Sequence, residues 1–320
     1  MVGWRLFDRD DAAWDDRLAG LEESSVFQSS LWARHKAASG WRPLRLASGN
    51  AAVQGLVKRL PLGARLLWAR GGPAGDPAAW DASLRRELLA RAGGSVVYAR
   101  VCPYRPADPE TTARLTAAGW KRPGTPLDKP FTYRVALQGG AERKMSSNWA
   151  HNLRRGLSRA GQAQAWDSPD PVEMEGLYRG LESLKGLPPQ HRAPELASML
   201  GALGPRLILR RVCVGGKTVA MRACAVFGHV AMDLLAAAGP EARQIYASHV
   251  LLDALIAEAG RAGARFYDLG GADPVAAKGV ADFKRGTGAA ETETLGEWDA
   301  ASPAAARAGI GALIAARMRP

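Results

Sequence analysis

The chain runs to 320 residues, 47% of them hydrophobic, which suits two domains of roughly 100–200 residues with a core in each. A formal charge of +12 says nothing about fold but favours polyanionic partners: nucleic acid, an acidic membrane face or phosphorylated substrates. No apolar run approaches the ~18 residues of a spanning helix, and the opening MVGWRLFDRDD is acidic where a signal peptide needs an apolar core. Cys102, Cys213 and Cys224 lack CxxC spacing and read as buried reduced thiols, so a soluble cytoplasmic protein is expected.

In chain order, DDAAWDDRLAGLEES sets Trp14, Leu18 and Leu21 at helical spacing. The turn-like SSVFQSS follows, then a short helix, LWARHKAAS, ended by Gly40. PLRLAS, AAVQGLVKRLPLG and ARLLWAR read as strands, the last closing on RGGP. A helix over 79–92 and the strand SVVYARVCP complete a unit in which strands and helices alternate.

The proline-rich KRPGTPLDKP at 121–130 marks a boundary. Beyond it lie the strand FTYRVAL, the basic helix RKMSSNWAHNLRRGLSRAG, helical segments around 177–184 and at ELASMLGALG, and the loop GLPPQHRAP between these two. LILRRVCV-GG-KTVAMRACAVF is a β-hairpin turning at Gly215-Gly216. The strand VAMDLLAAA, the helix ASHVLLDALIAEAGRAG and the strand RFYDLGG follow. The expectation is an α/β (α+β) chain of mixed sheets flanked by helices, with domains at 1–130 and 131–299. The weakly amphipathic tail, with arginines at 307, 317 and 319, is expected to pack on the first domain.

Several chemistries drop out. GGKT at 215–218 has Arg211 where a P-loop needs glycine, and the hairpin turn explains it. Gly286-Thr287-Gly288 lacks a following dinucleotide pattern. The histidines at 35, 151, 191, 229 and 249 have no metal-ligand spacing, and there is no GxSxG. No metal site is expected.

A hairpin, a third strand, a loop, a helix and a fourth strand match the core order of GNAT-type acyltransferases. The chain resembles, more narrowly, the Fem-type (FemABX) aminoacyltransferases that build peptidoglycan bridges. The resemblance covers most of the sequence and rests on SSVFQSSLWARHKAASGW, LLWARGGPAGD, NWAHNLRRGLSRAG, ARFYDLGG and DFKRGTG in that order. It implies two GNAT-like domains, aminoacyl-tRNA as donor, and an amine acceptor on a UDP-linked or lipid-linked muropeptide; peripheral contact with a membrane is compatible with the latter. No heptad run is present, so no coiled-coil arm is expected.

Residue by residue, DFKRGTG corresponds to the family's Phe-Lys motif. Aminolysis of an aminoacyl ester passes through an oxyanion, and a fixed cation aimed at it lowers the barrier by roughly 3–4 kcal/mol. Lys284 is the expected catalytic donor, and Phe283 a face on which the terminal tRNA adenine stacks. The plain alternative is a core phenylalanine beside a solvated lysine. Lys36 matches a lysine that contacts the acceptor diphosphate, or else sits on a solvated helix face. Arg154 and Arg155 suit tRNA phosphates or are surface charge. Tyr246 stands in the loop facing the donor. Many relatives carry Asp-Pro where this chain has Cys102-Pro103, a departure that leaves room for a small metabolite amine as acceptor. Asp268, Asp273 and Asp282 are the nearby carboxylates for a general base, with nothing to choose among them.

Two further readings stand beside this one. An acyl-CoA-dependent N-acyltransferase of envelope polysaccharide would need a glycine-rich pyrophosphate loop, and GPEARQIYASHV has no glycine after Gly239. Coenzyme A is expected only under that alternative, and otherwise no cofactor. The third reading is a non-catalytic RNA-binding protein.

Overall fold

The computed structural model describes residues 3–138, 143–186, 188–275 and 277–318. The chain divides into two compact units, residues 1–130 with 293–319 and residues 131–292. The first unit holds α1 (Asp11–Ala19), α2 (Ser30–Ala37), β1 (Trp41–Ser48), β2 (Ala51–Arg59), β3 (Ala64–Arg70), α3 (Ala82–Ala92), β4 (Val96–Cys102) and α4 (Pro109–Ala117). The second holds β5 (Phe131–Ala136), α5 (Ser147–Ala160), α6 (Pro171–Lys185), α7 (Ala193–Leu203), β6 (Leu207–Val214), β7 (Lys217–Phe227) and β8 (Val230–Ala238). It continues through α8 (Pro240–Gln244), α9 (Ala247–Arg261), β9 (Phe266–Gly271) and α10 (Lys278–Gly286). The chain then returns to the first unit with β10 (Trp298–Ser302) and α11 (Ala306–Met318).

The main strands of the first sheet run in the order β1-β2-β3-β4-β10. Only β3–β4 is parallel, because α3 lies between those strands in sequence and a helical crossover returns the chain in the same direction. Trp80, Trp120, Leu46, Leu67, Leu84 and Leu88 fill its core. Residues 293–299, assigned to the second domain from sequence, correct that boundary: Trp298–Ser302 pairs antiparallel with Val96–Cys102. The helix α4 was not anticipated, although Asp108 and Pro109 are start signals: the Asp108 carboxylate accepts from the Thr111 N–H.

In the second sheet the order is β5-β9-β8-β7-β6. The hairpin β6–β7 turns at Gly215-Gly216, both with positive φ as such a turn requires. β7 and β8 are antiparallel with a bulge at Ala223/Cys224. β8 and β9 are parallel, but their pairing covers only Val230–Met232 against Phe266–Asp268. β8 runs on to Ala238 unpaired with β9, so the two strands part beyond Asp268. The longest helices, α6 and α9, have 15 residues, and among the described residues no helix forms a coiled-coil arm. No described helix is long and apolar enough to cross a membrane. Of the thiols, Cys102 and Cys224 are buried, whereas Cys213 is only half-buried. Met1, Val2 and Arg319 lie outside the described residues.

Candidate functional site

Helix α10 carries Phe283 and Lys284. Its seating depends on small residues. A Cβ at Gly286 would come 2.8 Å from Trp149 Cδ1, so glycine lets the helix end lie against α5, and Ser146 N–H donates to the Gly286 carbonyl at 2.9 Å. A Cβ at Gly156 would meet Val250 at 2.7 Å, so α5 in turn packs closely on α9. Ala281 and Lys284, three residues apart, share the buried face of α10.

Lys284 is only 7% exposed. Its Nζ donates to the Gly270 carbonyl at 3.0 Å and the Gly271 carbonyl at 2.9 Å, where β9 ends. Burial lowers its ammonium to about 8, with Asp233 and Asp268 acting to raise it and Arg222 to lower it further. The side chain lines a cavity of about 450 Å³ whose other walls come mainly from β7, β8, α9 and α10. Apolar groups from Met221, Ala236, Leu251, Val280 and Phe283 make up much of the lining. Arg222 and Asp233 also face it, joined in a two-pronged pair at 2.9 and 2.6 Å. Tyr267 donates to the same Asp233 oxygen as Arg222 Nε, at 3.1 Å.

Phe283 is half-buried. His249 meets its ring edge-on at 5.0 Å, and the Trp149 ring lies tilted at 6.1 Å. Burial drops His249 to about 4, so the imidazole is neutral in this stack. Phe283 therefore belongs partly to the core and partly to the cavity wall.

Tyr246 is not among the cavity's lining residues. It has φ +57 at the start of α9, and its ring lies under the guanidinium of Arg155 at 4.7 Å and of Arg159 at 5.8 Å. Arg154, Arg155, Arg159, His151 and Ser158 line a shallow depression of about 410 Å³ on α5. The geometry thus brings Tyr246 together with the helix arginines, and Phe283 with Lys284. Lys36 is in the first unit, in the last turn of α2, with Nζ 5.2 Å from the Trp32 ring.

The carboxylates separate clearly. Asp268 is buried and accepts from Thr132, from Arg134 Nε at 2.9 Å and from the Gly270 N–H at 2.8 Å. Asp282 is bound by Lys278 and Arg285, and the Lys278 contact holds it below the usual carboxylate range. Asp273 accepts from the Val275 N–H at 2.9 Å. Nothing in the residue spacing points to the Arg222–Asp233 pair: Arg222 lies opposite Ala236 and Asp233 opposite Cys224, so the two are diagonal neighbours that only the register brings together.

In the first unit, Arg70 donates to Tyr104 and Asp128, both at 3.1 Å, and lies 4.1 Å from the Phe27 ring. Burial, then the Asp128 and Glu297 carboxylates, push the Cys102 thiol well up. Asp128 thus places a carboxylate beside Cys102. Among the described residues no cluster of three or more His, Cys, Asp or Glu could hold a metal ion.

Comparison with known proteins agrees with this geometry. Residues 147–285 match the family model described as an acetyltransferase (GNAT) domain. A comparison with curated proteins by sequence gives no match. Among solved structures, FemX superposes with a TM-score of 0.78 at 15% identity, covering 92% of this chain and 96% of that one. L-PGS from Bacillus licheniformis gives 0.54 at 14%, covering 91% of each chain. A tandem GNAT protein from the clavulanic acid biosynthesis pathway gives 0.51 at 13%, covering 94% of this chain and 99% of the other. Residues 147–285 of the second unit thus match a GNAT domain model, and over nearly its whole length the chain has the fold of FemX.

Proposed function

We propose that the protein transfers an aminoacyl group from aminoacyl-tRNA to an amine, forming an amide, with a UDP-linked or lipid-linked muropeptide or a small amine metabolite as acceptor. The observation that carries this reading is the buried Lys284 ammonium on the cavity wall. Of its three N–H donors, two go to the Gly270 and Gly271 carbonyls, which leaves one for a ligand. As the amine attacks, the ester carbonyl oxygen gains charge and the remaining N–H meets it. The intermediate then collapses with the tRNA ribose oxygen as leaving group. Because the ammonium is already oriented and desolvated, it needs little reorganisation as charge develops.

The attacking amine must shed a proton. Asp233, the carboxylate lining the cavity, already accepts three hydrogen bonds, so substrate oxygens or water take that role. Phe283 offers its cavity side to the terminal adenine. Arg154 and Arg155 offer charge to the tRNA backbone, Tyr246 braces Arg155, and Lys36 is assigned to the acceptor diphosphate. The fold shared with FemX and L-PGS supports an aminoacyl donor.

The match to an acetyltransferase model favours a second reading, transfer from an acyl-CoA thioester. Against it, α8 occupies the stretch where a glycine-rich loop would cradle pyrophosphate, and Tyr246 adopts a left-handed conformation there. The test offers the protein a pool of tRNA charged with radiolabelled amino acids, or acetyl-CoA, together with a UDP-linked muramyl pentapeptide and a panel of small amines. Label moving from tRNA, and falling 10²–10³-fold in Lys284→Met with tRNA binding retained, is the expected result. Transfer from the thioester alone establishes the second reading. RNA binding with no turnover from either donor leaves a non-catalytic protein.

A further inference from the structure

A regular strand sends successive carbonyls to opposite neighbours. At the end of β9 two successive carbonyls, of Gly270 and Gly271, converge on one ammonium. Something must bend the strand there. The register against β5 slips between Asp268 and Gly271, a bulge, and Gly270 has φ +69. No atom crowds the space a Cβ at Gly270 would fill, so the backbone conformation, and not room, calls for glycine.

The bend has one anchor in its own sequence. Asp268 Oδ1 reaches forward two residues to accept the Gly270 N–H at 2.8 Å, and also accepts the Thr132 hydroxyl. Its Oδ2 is held by Arg134 Nε at 2.9 Å, on the neighbouring strand. The carboxylate is 2% exposed, so its place is set from both sides. A buried carboxylate with three partners is costly to assemble and is more than a sheet needs merely to end a strand.

We propose that Asp268 is the positioning residue of this site: through the Gly270 N–H it locks the strand end in the bend that aims two carbonyls at Lys284, and so fixes where the third N–H of that ammonium points. This rests on the reading of Lys284 as the oxyanion donor. It also excludes Asp268 as the general base, since both oxygens are committed to holding the bend.

The Lys284 titration midpoint provides a readout that needs no substrate. Competitive acetylation with acetic anhydride between pH 6 and 11, followed by mass spectrometry of the Lys284 peptide, measures it in the intact protein. In Asp268→Ala the Gly270 N–H loses its acceptor, the bend relaxes, and the ammonium regains water. Burial is the largest influence on this lysine, so its relief outweighs the lost attraction of Asp268, and the midpoint moves up from about 8 towards the ordinary lysine value. Transfer in the same variant falls in kcat by about 10²-fold with KM changed less than about threefold, because a misaimed donor is lost mainly in the transition state. Asp268→Asn keeps an oxygen for Gly270 and recovers part of both effects.

A folded Asp268→Ala with midpoint and kcat both unchanged overturns the proposal. If that variant does not fold, Asp268→Asn decides on the same two measurements. Lys284→Met separates the two layers of inference. Unchanged transfer in Lys284→Met defeats the oxyanion reading while the midpoint shift still reports on Asp268. Lost transfer there, with an inert Asp268→Ala, defeats only the present proposal.

Discussion

Each unit buries an arginine among tyrosine and carboxylates, and the two clusters end differently. In the first unit Arg100, 1% exposed, donates to the Tyr98 hydroxyl at 3.2 and 2.7 Å, to the Thr125 carbonyl at 3.2 Å and to Glu297 at 3.4 Å. Tyr98 donates to Asp299 at 2.7 Å, and Asp299 accepts from Arg307 at 2.6 Å. That network ties β4 to β10 and α11 and leaves Glu297 Oε1 buried without a hydrogen-bond partner. In the second unit Arg222, Asp233 and Tyr267 form a similar set, yet they face a cavity with Lys284 beside them as an extra cation. Buried charge in the first unit ties sheet to helix; in the second it lines a cavity together with the Lys284 side chain. The distinction lies in the cavity that the second cluster adjoins.

The largest expected effect tests whether that distinction is real. Replacing one member of a buried ion pair strands its partner, at about 3–5 kcal/mol. Arg100→Met and Arg222→Met should both lower the denaturant midpoint by that order. They should differ in reach. Arg222 depresses the Lys284 ammonium, so Arg222→Met moves the Lys284 midpoint upward, whereas Arg100→Met leaves it where it was. A Lys284 midpoint that stays fixed in Arg222→Met removes the contrast.

A smaller effect sharpens the second cluster alone. Lys284 titrates at about 8 in the folded protein against about 10.5 for ordinary lysine, so between these pH values the unfolded chain holds the extra proton. Stability therefore rises with pH across that window, by about 3 kcal/mol in all, and the contribution is lost as pH falls through 8. Urea unfolding of the intact protein and of Lys284→Met, at pH 8 and at 10.5, isolates this rise as the part missing in the variant. The same titration puts the alkaline limb of kcat/KM near 8, since only the ammonium can donate.

How far these features were legible in the sequence differs by element. The hairpin at Gly215-Gly216 and the alternating strands were plain because their periodicity is local. Lys284 was singled out by its motif, but not its setting: KGVADFKRG is mostly polar, and a buried lysine does not mark a buried face. The helix became readable only with Gly286 against Trp149 and the two carbonyls at the end of β9. β10 was missed because WDAAS is short and its partner strand lies almost two hundred residues earlier in the chain. Tyr246, expected in a loop facing the donor, stands between the helices α8 and α9, and its contact with Arg155 depends on how α5 lies on α9, which no spacing reveals.

The smallest effect concerns the surface of α5. His151, Arg154, Arg155 and Arg159 recur at intervals that keep them on neighbouring faces of one helix, and Tyr246 lies under two of the guanidinium groups. A tyrosine ring 4.7 Å from Arg155 favours the cation by about 0.5–1 kcal/mol at an exposed site and restrains its direction. If this face meets tRNA phosphates, Arg154→Gln with Arg155→Gln weakens binding of the charged tRNA pool at 50 mM salt. The slope of log affinity against log salt becomes shallower by about one for each phosphate contact removed. Tyr246→Leu, which removes the ring and keeps both charges, should leave the slope unchanged and weaken binding by only a fewfold. Arginines that merely solubilise the helix would alter neither quantity. Because the first two substitutions lie outside the Lys284 cavity, kcat at saturating donor should remain within about twofold, and a large fall in kcat would mean that α5 takes part in the chemistry.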